Sequence, residues 1–226
     1  QANTTGIQNV AVGRNALHVN TETPNLTAIG AYALDANTTG NENVAIGVDC
    51  LTTNTTGSHN IGIGNSALKS NTTGGLNVAL GTFVLMDNTT GQYNIALGAY
   101  SLQNNTTASF NIAINHGALN ANTTGENNVA VGYEALSANT TNSGSVAMGK
   151  RALQDNTAGY NAAVGFEAMK ENTTGTGVAV GPYALDAQTI GKNNNAFGNN
   201  ALTALTTGSN NTAIGHKASF TITTGI

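Results

Sequence analysis

A 17-residue pattern recurs from one end of this chain to the other, and a segment that short can bury an apolar face only by stacking on its own copies. Asn3, Asn20, Asn37, Asn54, Asn71, Asn88, Asn105, Asn122, Asn139 and Asn156 open successive units. Two 16-residue units start at Asn156 and Asn172, and 17-residue units resume at Gln188 and Leu205. The shared form is N-T-T-G-x-x-N-V-A-V-G-x-x-A-L-x-x, numbered 0 to 16 within each unit. In the short units the missing residue lies between the first Gly and the V-A-V segment.

Seventeen residues cannot hold two well-formed helices, and Asn, Thr and Gly are poor helix formers. The segment N-V-A-V-G fits a short strand bounded by turn residues, and A-L-x-x-N-T-T is predicted as a second. The expected fold is all-β, a parallel β-solenoid or β-roll of about thirteen 17-residue coils with two short strands per coil, in a single repeat domain over residues 1–226.

Stacked coils turn columns of the repeat into ladders. Asn at position 0 (Asn3, Asn37, Asn54) and at position 6 is expected to form amide ladders. Thr at position 1 (Thr4, Thr38, Thr55) does the same with hydroxyls, and Gly at positions 3 and 10 (Gly13, Gly47, Gly64) supplies positive φ at the corners. Position 9 is always large and apolar, and position 14 is Leu or Met except at Ser219. These two columns are expected to form the core.

Position 8 is Ala or Gly in every unit. If positions 7 and 9 point into the coil, position 8 points out, and Ala11, Ala28, Ala45, Gly62 and Ala79 then form a subunit interface, as in a trimeric fibre. In the alternative arrangement small residues fill a thin coil and the large ones face a neighbour. Both require a partner, so a homo-oligomer is expected, with a trimer favoured.

Composition narrows the function. Charged residues make up 8% of the chain, against about 25% in an average globular protein. With 7 basic and 11 acidic side chains there is no basic footprint for nucleic acid and no polybasic stripe for a membrane. No apolar run is long enough for membrane insertion. The first residues, QANTTGIQNV, carry no signal-peptide pattern, so the chain is expected to be soluble and mature, internal, or exported by other means. One cysteine excludes an intramolecular disulfide framework, and Cys50, at the Ala position 13, reads as a buried filler.

The chemistry-bearing residues are scattered. His18, His59, His116 and His216 occupy positions 15, 5, 11 and 11 in separate coils, so no joint metal site is expected. Asp35, Asp87, Asp155 and Asp186 are equally dispersed, and no carboxylate pair is poised for acid–base work. The expectation is a non-enzyme without cofactor or metal. Asn-Thr-Thr is formally a glycosylation sequon, but glycans about 4.8 Å apart on neighbouring rungs would collide, so the Asn column is read as a ladder.

The run N-T-T-G-x-x-N-x-A-x-G-x-x-A-L resembles the repeat of bacterial and phage tail-fibre-like proteins across the whole chain. The segments Asn43 to Leu51 and Asn211 to Gly215 are also similar to the head repeats of trimeric autotransporter adhesins. That resemblance implies a left-handed parallel β-roll in a homotrimer, and a structural or adhesive fibre segment outside the cell or on a virion, holding a receptor- or glycan-binding surface. The aromatics of the turn columns, Tyr32, Phe83, Tyr100, Tyr133, Phe166 and Tyr183, are the expected surface contacts. Two alternatives stand beside it. An ice-binding solenoid would use the Thr column, although adjacent Thr residues point to opposite faces of a strand. A glycan-binding, tailspike-like protein would lack the clustered carboxylates that hydrolysis needs.

Overall fold

The computed structural model describes residues 3–224. Among these, every regular element is a strand of three or four residues. They are β1 (Val10–Val12), β2 (Thr27–Ile29), β3 (Val44–Ile46), β4 (Ile61–Ile63), β5 (Val78–Leu80), β6 (Ile95–Leu97), β7 (Ile112–Ile114), β8 (Val129–Val131), β9 (Val146–Met148), β10 (Ala162–Val164), β11 (Gly177–Val180), β12 (Asn194–Phe197) and β13 (Thr212–Ile214). The chain falls into two compact units, Gln1–Asn111 and Ile112–Ile226.

Within each unit, consecutive strands pair in parallel and in register. Ala28 faces Ala45 and Ala45 faces Gly62 in the first unit, and Ala130 faces Ala147 in the second. The fold is a parallel β-solenoid. The 16-residue coils keep the same register, with Ala163 opposite both Ala147 and Ala179, because their deletion falls in the turn before the strand.

Each coil carries one strand, where two were expected. The A-L-x-x-N-T-T segment is a run of turns, because residues at positions 12 and 14 adopt left-handed backbones: Asp49 and Leu51 have φ of 55° and 51°, Phe83 and Leu85 of 57° and 47°. A strand needs extended φ at every residue. Coils still bond to each other there, with the Leu34 N–H donating to the Cys50 carbonyl at 3.1 Å and the Leu51 N–H to that of Ala67 at 3.0 Å. A left-handed backbone costs a Leu roughly 1–2 kcal/mol. Burying its side chain fully contributes about 1.5–3 kcal/mol, and Leu34, Leu51, Leu68 and Leu85 have no exposed surface. Packing therefore outweighs backbone preference at position 14.

The strands face the opposite way from the first expectation. Ala28, Ala45 and Ala79 are completely buried, Gly62 is buried, and Ala11 on the first rung is half-buried. These five residues are the inner wall of the coil, so they form no interface between subunits. Positions 7 and 9 point outward, and position 9 is accordingly no core row. The coil is too thin for a second large side chain: a Cβ at Gly62 would lie 2.6 Å from the Cys50 sulfur and 3.5 Å from Leu51 Cδ1. The core consists of small residues at positions 8 and 13, Leu or Met at 14, and the two Asn columns.

The glycines of the two corners serve different ends. Gly13, Gly47 and Gly64 at position 10 have φ of 132°, 140° and 139°, conformations that side chains rarely adopt. Gly57 at position 3 has no such φ, contrary to expectation; a Cβ there would lie 2.2 Å from the Gly74 carbonyl oxygen of the next coil. Close approach of backbones explains it.

Candidate interaction surface

Two side-chain ladders hold the rungs that present the outward face. At position 0, Asn54 Nδ2 donates to Asn37 Oδ1 at 2.9 Å and to the Gly57 carbonyl of its own coil at 2.9 Å. Asn71 and Asn88 repeat both bonds. Asn37 reaches Gly40 at 2.9 Å and Asn20 at 3.5 Å, and Asn3 on the first coil bonds Gly6 at 2.9 Å. Both amide protons of Asn54 are thus engaged inside the stack, leaving no free nitrogen for a glycan. At position 6, Asn43 Nδ2 donates to the Gly57 carbonyl at 2.7 Å, and its Oδ1 accepts the Asn60 N–H at 2.9 Å.

The Thr column at position 1 runs along the same corner. Thr4, Thr38 and Thr55 donate their hydroxyls to the carbonyls of Thr21, Thr38's neighbour Thr55, and Thr72 at 3.2, 2.9 and 3.1 Å. Each coil is therefore tied to the next by side chains as well as by backbone.

Against this frame, positions 7 and 9 form two outward rows of apolar side chains. In the first unit Val12, Ile29 and Ile63 are 57%, 37% and 36% exposed, and in the second Met148 and Phe197 are 44% and 40% exposed. No charged residue occupies either row. The signal for this orientation was present in the repeat: position 7 accepts Thr27, Asn195 and Thr212, whereas position 8 accepts only Ala or Gly. A column that takes Asn without a fixed partner faces out.

The corners carry the aromatics, and most of their faces are covered by neighbouring coils. In the first unit the Arg14 guanidinium lies 4.6 Å from the Tyr32 ring centre, Phe83 and Tyr100 are 5.5 Å apart, and Tyr93 stacks on Phe110 at 5.0 Å. In the second, His116 stacks on Tyr133 at 5.4 Å, Lys150 sits 5.6 Å from Phe166, and Phe166 meets Tyr183 edge-on at 5.2 Å. Arg151 bonds Glu134 at 3.1 Å and approaches Glu167 at 3.7 Å. Tyr93 and Phe110 belong to a second aromatic-bearing turn column, and their left-handed φ of 56° and 62° is a conformation better suited to Asn or Gly.

The titratable groups are dispersed. Burial pushes the Cys50 thiol up to about 12, against a small opposing backbone hydrogen bond from Ile46, so it is no nucleophile at neutral pH. Asp186 is raised to about 6, first by burial and then by Glu171, with Glu167 adding to it and Lys170 opposing. Tyr133 is raised by its hydrogen bond to Glu134. His18 lies 3.4 Å from Asp35, and His59 lies 3.2 Å from Glu42. Among the described residues no three His, Cys, Asp or Glu stand close enough to hold a metal, and no helix is long and apolar enough to cross a membrane.

No family model matches the chain, and no curated protein or solved structure is detectably similar to it.

Proposed function

We propose that this chain is a structural or adhesive fibre segment that stands side by side with copies of itself, a trimer being favoured, and carries a receptor- or glycan-binding surface outside the cell. The observation behind this reading is the pair of uncharged apolar rows on the outer face of the strands. They supply eleven apolar side chains in the first unit and twelve in the second, against roughly 20–30 residues per side in an interface of standard size. Isolated exposed apolar residues are ordinary, but contiguous rows of this extent mark an interaction surface. A partner must match the spacing of the rungs, and a second copy of the chain does so by construction.

Light scattering or native mass spectrometry of the purified chain tests the reading. A stable oligomer is expected, and Ile46→Glu together with Ile63→Glu should dissociate it while leaving the circular dichroism of the folded coils intact. A monomeric native protein would sink the proposal.

Ice binding is a second reading with one supporting observation. Thr39, Thr56, Thr73 and Thr90 at position 2 form an exposed column whose hydroxyls make no hydrogen bond among the described residues. A thermal-hysteresis assay decides it: shaped ice crystals would favour this reading, and their absence would remove it.

A further inference from the structure

We infer that Asn115 is a site of spontaneous modification, where the side-chain amide closes on the His116 backbone nitrogen to a succinimide that water opens to isoaspartate or aspartate. The inference is independent of self-association and concerns one corner of the second unit. Position 10 is Gly on every rung except this one. The reason for Gly is visible one coil on, where a Cβ at Gly132 would lie 2.4 Å from the Gly149 carbonyl oxygen. Asn115 carries that Cβ, and its φ is 96° where that of Gly132 is 142°. Such a backbone is strained in any residue with a side chain, and it persists only because the surrounding coils impose it.

The same conformation brings the reacting groups together. Asn115 Oδ1 accepts the His116 N–H at 2.8 Å, so the side-chain carbonyl lies against the backbone nitrogen that must attack it. A small turn of the amide about χ2 puts Cγ in front of that nitrogen, and holding reacting atoms in contact is what speeds an intramolecular step. The next coil keeps the segment in place. The Gly132 N–H donates to the Ile114 carbonyl at 2.9 Å and the Glu134 N–H to the His116 carbonyl at 3.0 Å, while the His116 ring stacks on Tyr133 at 5.4 Å. Neither inter-coil bond uses the nitrogen that reacts, so the ring closes with the rungs still paired. Asn115 and His116 are both exposed, and water reaches them.

In the first step the His116 nitrogen gives its proton to solvent base and bonds to Asn115 Cγ. The Cγ–Nδ2 bond breaks, and Nδ2 takes a proton from solvent and leaves as ammonia. Water then opens the ring at one of its two carbonyls. Opening at the main-chain carbonyl carries the chain through Cβ and Cγ, which is isoaspartate, and opening at Cγ gives aspartate. Either product adds one negative charge to the corner beside His116. The ladder asparagines are held differently. Asn54 and Asn71 are fully buried, and their amides bond the neighbouring rungs and the turn carbonyls. These amides cannot turn onto their own backbone without breaking the ladder, so the fold protects them while it poises Asn115.

The test incubates the full chain at mildly alkaline pH, folded in one sample and held in guanidinium in another. Peptide mapping with electron-transfer fragmentation follows the mass gain of amide-to-acid conversion and separates isoaspartate from aspartate. Conversion at Asn115 is expected to run several-fold faster in the folded chain than in the denatured one, whereas Asn54 and Asn71 should convert more slowly when folded. Asn115→Gly, which restores the residue of every other rung, should fold as before by circular dichroism and lose the folded-state mass gain. Conversion at Asn115 that is no faster in the folded chain would overturn the inference. So would a folded-state mass gain confined to other asparagines, such as Asn142, or one that Asn115→Gly leaves unchanged.

Discussion

Asn71 shows how much each ladder residue holds. Its amide donates to Asn54 Oδ1 at 2.8 Å and to the Gly74 carbonyl at 2.9 Å, and its oxygen accepts from Asn88 at 2.8 Å. Asn71→Ala removes three bonds at a fully buried site and leaves their partners unsatisfied, so a loss of about 2–4 kcal/mol is expected in guanidinium unfolding. A loss below 0.5 kcal/mol would show that water replaces the amide. Cys50 and Gly62 form a second local unit. Both depart from Ala, and they face each other across the core, so the larger sulfur fills the space of the missing methyl. Gly62→Ala alone should destabilise by about 1–3 kcal/mol. Combined with Cys50→Ala it should cost little, and the double-mutant cycle should show coupling of about 0.5–3 kcal/mol. Additive effects would contradict the packing.

At the level of the strand, period-two alternation separates two environments with no gradation between them. Ala96 on β6 is fully buried, whereas its neighbour Ile95 is 38% exposed. Ala96→Leu should destabilise by at least about 1–3 kcal/mol because the thin coil has no room for it. Ile95→Thr, measured under conditions that keep the chain monomeric, should change stability by less than about 0.5 kcal/mol. The reverse ranking in chemical denaturation would restore the orientation first read from the sequence. Turn segments follow other rules. Leu51 and Leu85 occupy left-handed positions that propensity assigns to Gly or Asn. Burial of the side chain overrides local preference, so no local pattern announces it.

For the molecule as a whole, few charges means few groups that couple stability to pH. Asp186 is one such group, with its carboxyl raised to about 6 from an unfolded value near 3.9. A raised acid binds its proton more tightly in the folded state. Its contribution to stability is fully present below about pH 4 and is lost as pH rises through about 6. The group is partly exposed, so solvent screening reduces the effect, and Asp186→Asn is expected to gain about 1 kcal/mol at pH 7. Thermal unfolding of both proteins at pH 4 and pH 7 measures it. The variant should show its advantage at pH 7 and little at pH 4, and an equal shift at both would assign the effect to packing instead of titration.

The repeat by itself determined the class of fold, the in-register stack and the identity of the ladder columns. A fixed period forces like residues onto like, and Asn, Thr and Gly at fixed places have few other uses in such a stack. It also located the deletions in the turns, because Ala163 had to stay opposite Ala147. Tertiary structure decided which face of the strand looks inward, the polar exceptions Thr27, Asn195 and Thr212 at position 7 being its one trace in the sequence. Alternation in V-A-V is symmetrical between a large-in and a small-in coil, and only the width of the interior breaks the tie. With Leu51 and Cys50 arriving from the opposite wall, the space left opposite them admits Gly62 and Ala45 but not Ile46. That choice moved the proposed contact surface from the alanines to the valines and isoleucines. The same alternation that left the orientation ambiguous in the sequence makes it absolute once the coil closes.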